Sequence, residues 1–165
     1  AGDVTPGNET MLRDETTAKT FSAFVEEHEA RLRHALTARF GSDVGKDAAA
    51  DALAYGWEHW ERVQSMENSV GYLYTVGRDR GRRMSQRRRP LFPEVPVERA
   101  PWVEPGLSQA VADLPERQRT VVLLLHGYDW TQSEVAEVLD ISKASVQRHG
   151  ERAMARLRRK LGVDR

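Results

Sequence analysis

The 165-residue chain contains no cysteine. Disulfides and thiolate metal sites are therefore excluded, and a reducing cytosol is the expected setting. It also lacks any run of about 18 apolar residues, so no membrane insertion is expected. The opening stretch, "AGDVTPGNET", is small and polar and does not resemble a secretory leader. No H-E-x-x-H, Gly-rich phosphate loop or G-x-S-x-G is present. His28 and His34 are six apart, which does not place them on one helix face as metal ligands. No catalytic residue, metal or cofactor is expected.

Net charge is absent too: 25 basic residues balance 25 acidic ones. The balance hides alternation. Residues 1–70 carry 7 basic and 13 acidic groups, residues 71–90 carry 7 and 1, residues 91–130 carry 3 and 6, and residues 131–165 carry 8 and 5. A polyanion meets the local field, not the sum, so the two basic blocks are the regions to examine.

What is present is helical periodicity. Phe21, Phe24, Val25, His28, Leu32, Leu36 and Phe40 recur at three and four, predicting an amphipathic helix that stops at Gly41. On this stripe His28 reads as a packed core residue. A second helix is predicted from Asp47 to about Val63, with Ala49, Leu53, Trp57 and Trp60 as its apolar side. A third is predicted from about Ser69 to Arg83. Five prolines then fall between Pro90 and Pro105. Proline removes an amide hydrogen and restrains the preceding residue, so 90–106 reads as a linker.

Four helices are expected beyond it. Leu107–Asp113 is short. The next opens at Pro115 and Glu116, carries "RTVVLLLH" and ends at Gly127. Thr131 and Glu134 form a capping box for a helix ending at Leu139. Ser142 caps the last helix after the turn "DIS". Short helix, tight turn and second helix make a helix-turn-helix, with Ala136 at the crossing, Ile141 plugging the turn and Val146 packing back. Asp140 occupies the left-handed turn position, which Asp tolerates better than most residues.

On the last helix Val146, Gly150, Ala153, Leu157 and Leu161 share one side. Ser145, Arg148, Arg152, Arg156 and Arg159 share the other. The N-terminal part of such a helix enters the major groove, so Lys143, Ser145, Gln147 and Arg148 are candidates for base edges. Arg152, Arg156 and Arg159 are candidates for phosphates.

These residues carry a resemblance. "LPERQR" at 114–119, "EVAEVLDIS" and "SVQ" are similar to the fourth conserved region of bacterial RNA polymerase sigma factors, particularly the small extracytoplasmic-function (ECF) class. LuxR-type output domains share part of the pattern. In the first half, "FSAFVEEHEARLRHALTARFG", "DAAADALAYGWEHWERV" and "NSVGYLYTVGRDRGRRMSQRRR" follow the order of that family's second conserved region. The resemblance implies an all-α protein of two small helical domains joined by the proline-rich linker. Residues 1–18 would be a flexible tail or cloning remnant, 19–89 a region 2-like domain, 90–106 the linker and 107–165 a region 4-like helix-turn-helix domain.

It further implies a promoter-specificity factor that is not an enzyme and works in the bacterial cytoplasm. Promoter DNA and the β′ clamp of core RNA polymerase would be partners, with an anti-sigma protein a further option. Lys143, Ser145, Gln147, Arg148, Arg152 and Arg156 would meet the −35 element. Tyr72, Thr75, Arg78, Asp79, Arg82 and Arg83 would meet the melted −10 strand. The residues themselves agree, since an aromatic among arginines suits stacked bases and tracked phosphates. Asp79 departs from that chemistry because its carboxylate repels phosphate. Asp47, Asp51, Leu53, Ala54, Trp57 and Glu58 would form the polymerase-binding side. Leu53 and Ala54 stand where the family usually has Gln and Glu. A sigma-like regulator that binds DNA without productive polymerase engagement is therefore the alternative.

Overall fold

A computed structural model describes residues 6–87 and 106–163. Among these there are eight α-helices and no strand, the all-α architecture expected. The first domain contains α1 (Pro6–Phe40), α2 (Ser42–Glu58), the single turn α3 (Trp60–Val63) and α4 (Ser69–Arg87). The second contains α5 (Leu107–Ala112), α6 (Glu116–Val122) with a π-helical continuation over Leu123–Gly127, α7 (Gln132–Leu139) and α8 (Lys143–Leu161). The linker expected at 90–106 lies outside the described residues, apart from Gly106.

Helix α1 buries Phe24, Leu32, Leu36 and Phe40, as its stripe predicts. His28 is half-buried, its ring 4.6 Å from that of Phe24. The helix extends beyond the stripe, however. It begins at Pro6, so the expectation of a tail over 1–18 is corrected from residue 6 onward, and residues 1–5 lie outside the described residues. The added turns are rich in good helix formers and need no buried face to be helical; most of their residues are exposed.

Helix α2 differs in its buried side. Val44, Ala48, Ala49, Ala52 and Gly56 face inward, and Trp57 is 48% exposed. Small residues let α2 lie close on α1. A Cβ built on Gly45 would stand 2.4 Å from the Thr37 Cα, so only glycine fits that crossing. Leu53 and Trp57, expected inside on volume, are displaced because the tight face is the one the small residues form. The helix also starts at Ser42 rather than Asp47 and breaks at His59, so that Trp60 and Val63 turn into the core. The Trp60 indole nitrogen donates to the Thr20 hydroxyl at 2.9 Å.

The second domain packs around Val121, Leu124, Val135, Val138, Val146 and Ala153, all below 2% exposed. At the end of α6 the helix widens. Tyr128 N–H donates to Leu123 O at 2.9 Å and Trp130 N–H to Leu124 O at 2.9 Å, so the chain gains an extra residue per turn there. That widening sends Trp130 inward, where it is 8% exposed.

The two domains are docked, and α1 is their shared wall. Arg39 on α1 pairs with Glu116 at 2.8 Å. Arg119 donates back to the Arg39 carbonyl at 3.4 Å. The imidazole of His34 stacks on the Tyr128 ring, with centroids 4.3 Å apart and planes 16° from parallel. Arg31 meets Glu134 at 3.4 Å. Arg39 and Arg119 are only 6% and 7% exposed, respectively.

His34 has a pKa below its ordinary 6.5, first because burial disfavours the charged ring and then because Arg33 repels it, with Glu29 opposing. The unfolded chain thus takes up the proton more readily. The stabilisation is fully present above pH 6.5 and is lost as pH falls through the lowered folded-state value. His149 is lowered in the same sense, by burial, then Arg117, Arg148 and Arg152. The unfolding free energy is therefore expected to fall on acidification below pH 6.5, and His34→Gln to flatten part of that slope. Urea denaturation across pH measures it; an unchanged slope in the variant removes His34 as a source.

Candidate nucleic-acid interface

Helices α7 and α8 are joined by the tight turn that the sequence predicts. The Thr131 hydroxyl accepts from Glu134 N–H at 3.1 Å and donates to the Glu134 carboxylate at 3.1 Å. At the other end Asp140 is left-handed, with φ 54° and ψ 49°. Ile141 N–H closes the turn on Ala136 O at 3.1 Å, and Ile141 and Ala136 pack on the core beside fully buried Val146. The Ser142 hydroxyl accepts from Ser145 N–H at 3.0 Å, capping α8.

This places the expected reading face outward. Lys143, Gln147, Arg148, Arg152 and Arg156 are exposed and Ser145 is half-buried. Arg148 donates to the Ser145 hydroxyl at 3.1 Å, and Gln147 donates to Glu151 at 3.0 Å. Lys143, Arg148, Arg152 and Arg156 make no ion pair with a described carboxylate, so their charge is directed to solvent. The last turn adds Arg158, Arg159 and Lys160, and Lys160 bonds to Asp113.

The second candidate face, on α4, is arranged differently. Arg82, Arg83 and Asp79 are exposed, and Thr75 and Arg78 are half-buried. Asp79 lies 3.9 Å from Arg78 and 3.8 Å from Arg82, offsetting part of their charge. Tyr72 is not the freely exposed aromatic that the wheel suggests. Its hydroxyl lies 3.1 Å from that of Tyr55, and the Arg62 guanidinium sits 5.9 Å above its ring. The bond to Tyr55 raises the Tyr72 pKa, with burial next in weight. Neither Tyr55 nor Arg62 is evident from the α4 pattern, because they come from α2 and α3.

Helix α7 lies across the start of α4. The Asn68 side chain donates to Glu137 O at 2.7 Å, and its oxygen accepts from Gly71 N–H at 3.0 Å. A Cβ on Gly71 would come within 3.0 Å of Glu137 O, so the glycine permits the approach. Tyr72 and Thr75 face Ala136, Glu137 and Ile141 across a groove of about 730 Å³. The two nucleic-acid faces therefore differ in access: α8 is open, and α4 is partly covered by the other domain.

On the expected polymerase side, Asp47, Ala54, Trp57 and Glu58 are exposed. Asp51 pairs with Arg80 at 3.6 Å. Leu53 is half-buried and packs on the core. The Trp57 ring rests against Phe21, centroids 5.2 Å apart. No three or more His, Asp or Glu side chains gather as a metal site among the described residues, and no described helix is long and apolar enough to cross a membrane.

A two-domain all-helical chain with an open helix-turn-helix is the class that this geometry defines. Residues 106–157 match the family described as sigma-70, region 4. The chain is 49% identical over 43 residues to the RNA polymerase sigma-F factor of Bacillus subtilis, covering 26% of this chain and 17% of that protein. The overall fold is similar to a chain in the co-crystal structure of the sigma factor RpoE with the anti-sigma factor NepR from Bartonella quintana. There the TM-score is 0.57 at 21% identity, over 89% of this chain and 99% of the other. The C-terminal domain is thus a sigma-70 region 4 domain, and the whole chain has a sigma-factor-like fold that supports the ECF-type resemblance.

The cap on α8 fixes where the reading helix begins. Ser142→Ala is expected to cost about 1 kcal/mol of stability and Ser142→Gly only a few tenths, as measured by urea denaturation; equal loss in both would assign the effect to something other than the cap.

Proposed function

We propose that this chain is a sigma factor that directs RNA polymerase to promoters. In this reading α8 enters the major groove of the −35 element. Arg148 pairs two-pronged with guanine and Gln147 with adenine, while Lys143 and Ser145 flank them. Arg152 and Arg156 hold phosphates. The observation that carries it is the α7–turn–α8 unit, capped at Thr131 and Ser142, with its cationic face unpaired by described carboxylates and within the region that matches sigma-70 region 4.

The first domain would take the melted −10 strand on Tyr72, Thr75, Arg78, Arg82 and Arg83, with Asp79 trimming the charge. Since α7 covers Tyr72 and Thr75, strand capture requires the domains to separate. Polymerase would meet the exposed side of α2 at Asp47, Ala54, Trp57 and Glu58, with Asp51 and Leu53 behind them. Those roles need neither a catalytic group nor a cofactor. A protein that holds the docked form also fits, as the structural relative was crystallised with an anti-sigma factor.

Leu53 and Ala54 favour a second reading, a sigma-like regulator that binds duplex DNA without productive polymerase engagement. An apolar half-buried leucine and an exposed alanine offer no charged or amide contact to a partner.

Reconstituted transcription separates the two. Core polymerase plus this chain is expected to start at a defined promoter; failure on every template selects the second reading. Arg148→Ala is expected to weaken −35 binding by about 1–3 kcal/mol and relax one base preference. Equal loss on random DNA would reduce Arg148 to a phosphate contact. Tyr72→Ala is expected to slow promoter opening and leave duplex −35 binding intact, and normal opening would remove its stacking role.

A further inference from the structure

A cavity of about 480 Å³ lies where the domains meet, between the end of α1, the last turns of α4 and the start of α6. Arg39, Arg82, Arg119, Glu116 and Ser85 supply its polar walls. The charges do not balance. Arg39 and Arg119 are both more than nine-tenths buried, and the carboxylate they share is that of Glu116, itself 45% exposed. Arg119 donates to the carbonyls of Ala112 and Leu114 at 3.3 Å and of Arg39 at 3.4 Å. Those acceptors are neutral and leave the guanidinium charge in place. Burial is the main reason the Arg119 pKa is lowered, with Arg39 adding to it and Glu116 opposing.

Arg82 stands at the rim, 53% exposed, with Asp79 no closer than 3.8 Å. The Ser85 hydroxyl on the same wall is buried and has no hydrogen-bond partner among the described residues. Three guanidiniums, one carboxylate and one idle hydroxyl line a single space. Burying excess charge of one sign is costly unless a counter-ion or further hydrogen bonds balance it. A guanidinium fork matches a tetrahedral oxyanion two-pronged, and a serine hydroxyl can donate to its remaining oxygen.

We propose that this cavity binds a phosphate group that bridges Arg39 and Arg82 of the first domain to Arg119 of the second, and so holds the two domains closed. Glu116 is half in solvent and can rotate outward to make room. The cavity falls in the size range of small-molecule sites and exceeds what one phosphate fills. Inorganic phosphate and a nucleoside monophosphate offer the same recognised group.

The experiment is a calorimetric titration of the full chain with inorganic phosphate and, separately, with AMP, in chloride buffer at fixed ionic strength. Because the chain has no cysteine, labels at Ala50→Cys and Ala155→Cys report domain separation by energy transfer. Saturable binding with increased transfer is expected. Equal affinity for the two ligands assigns the site to free phosphate, and tighter AMP binding assigns it to a phosphate carried by a larger molecule.

Arg82→Gln, on the exposed rim, is expected to weaken binding about tenfold. Arg39→Lys, which keeps the charge and loses the fork, is expected to weaken it as well. Arg148→Gln with Arg152→Gln, on the distant α8 face, is expected to leave binding unchanged. No saturable binding, or binding that survives the cavity substitutions and disappears with the α8 pair, overturns the proposal. No DNA or polymerase is present, so that result leaves the promoter reading standing.

Discussion

Everything in this fold depends on the burial of one helix by two partners. Helix α1 gives Leu32 and Leu36 to the first domain's core. From its last turns it presents His34 and Arg39 to the second. Small domains bury a low fraction of their surface and are only marginally stable alone. A shared wall lets each domain add to its core without adding residues. It also makes the relative placement of the two DNA-binding faces a property of side-chain chemistry at one seam. That seam is a stacked imidazole, two buried guanidiniums and a carboxylate, and it contains few apolar contacts. Polar seams of this kind are sensitive to pH and ions in a way that an apolar seam is not.

The sequence shows the local features of the second domain because they are written in adjacent residues. Thr131 and Glu134 bond each other within one turn, as do Ser142 and Ser145. Asp140 adopts the left-handed conformation its position requires. The arginine stripe of α8 follows from helical spacing alone. The same reasoning reaches less far in the first domain. Trp57 was expected inside and stands outside, since the close contact between α1 and α2 is set by Gly45, Ala48 and Ala52. Apolar volume was the wrong guide where backbone proximity was the constraint. Tyr72 was read from its own helix, but Tyr55 and Arg62, from elsewhere in the chain, fix its hydroxyl and ring. The seam could not be read at all, because Arg39 and Arg119 are 80 positions apart and neither belongs to a recognisable pattern.

Electrostatics divide the molecule by accessibility. The α8 arginines face solvent and are positioned to attract a duplex over a Debye length. The α4 arginines carry nearby carboxylates and an adjacent helix. In the docked form the protein therefore offers duplex DNA a better surface than single-stranded DNA. That order suits a factor that must locate a site before it opens one: the covered face becomes available when the seam parts.

The π-helical turn at Leu123–Gly127 bears on how this domain tolerates changes in length. A wide turn contains one residue more than the regular spiral needs. Deleting a single position there would restore ordinary α geometry and rotate everything downstream by about 100°. Trp130 would swing out of its socket, and the reading helix would turn with it. The bulge thus works as an angular gauge: the extra residue sets the direction in which the arginine face points, although it lies well away from that face in sequence.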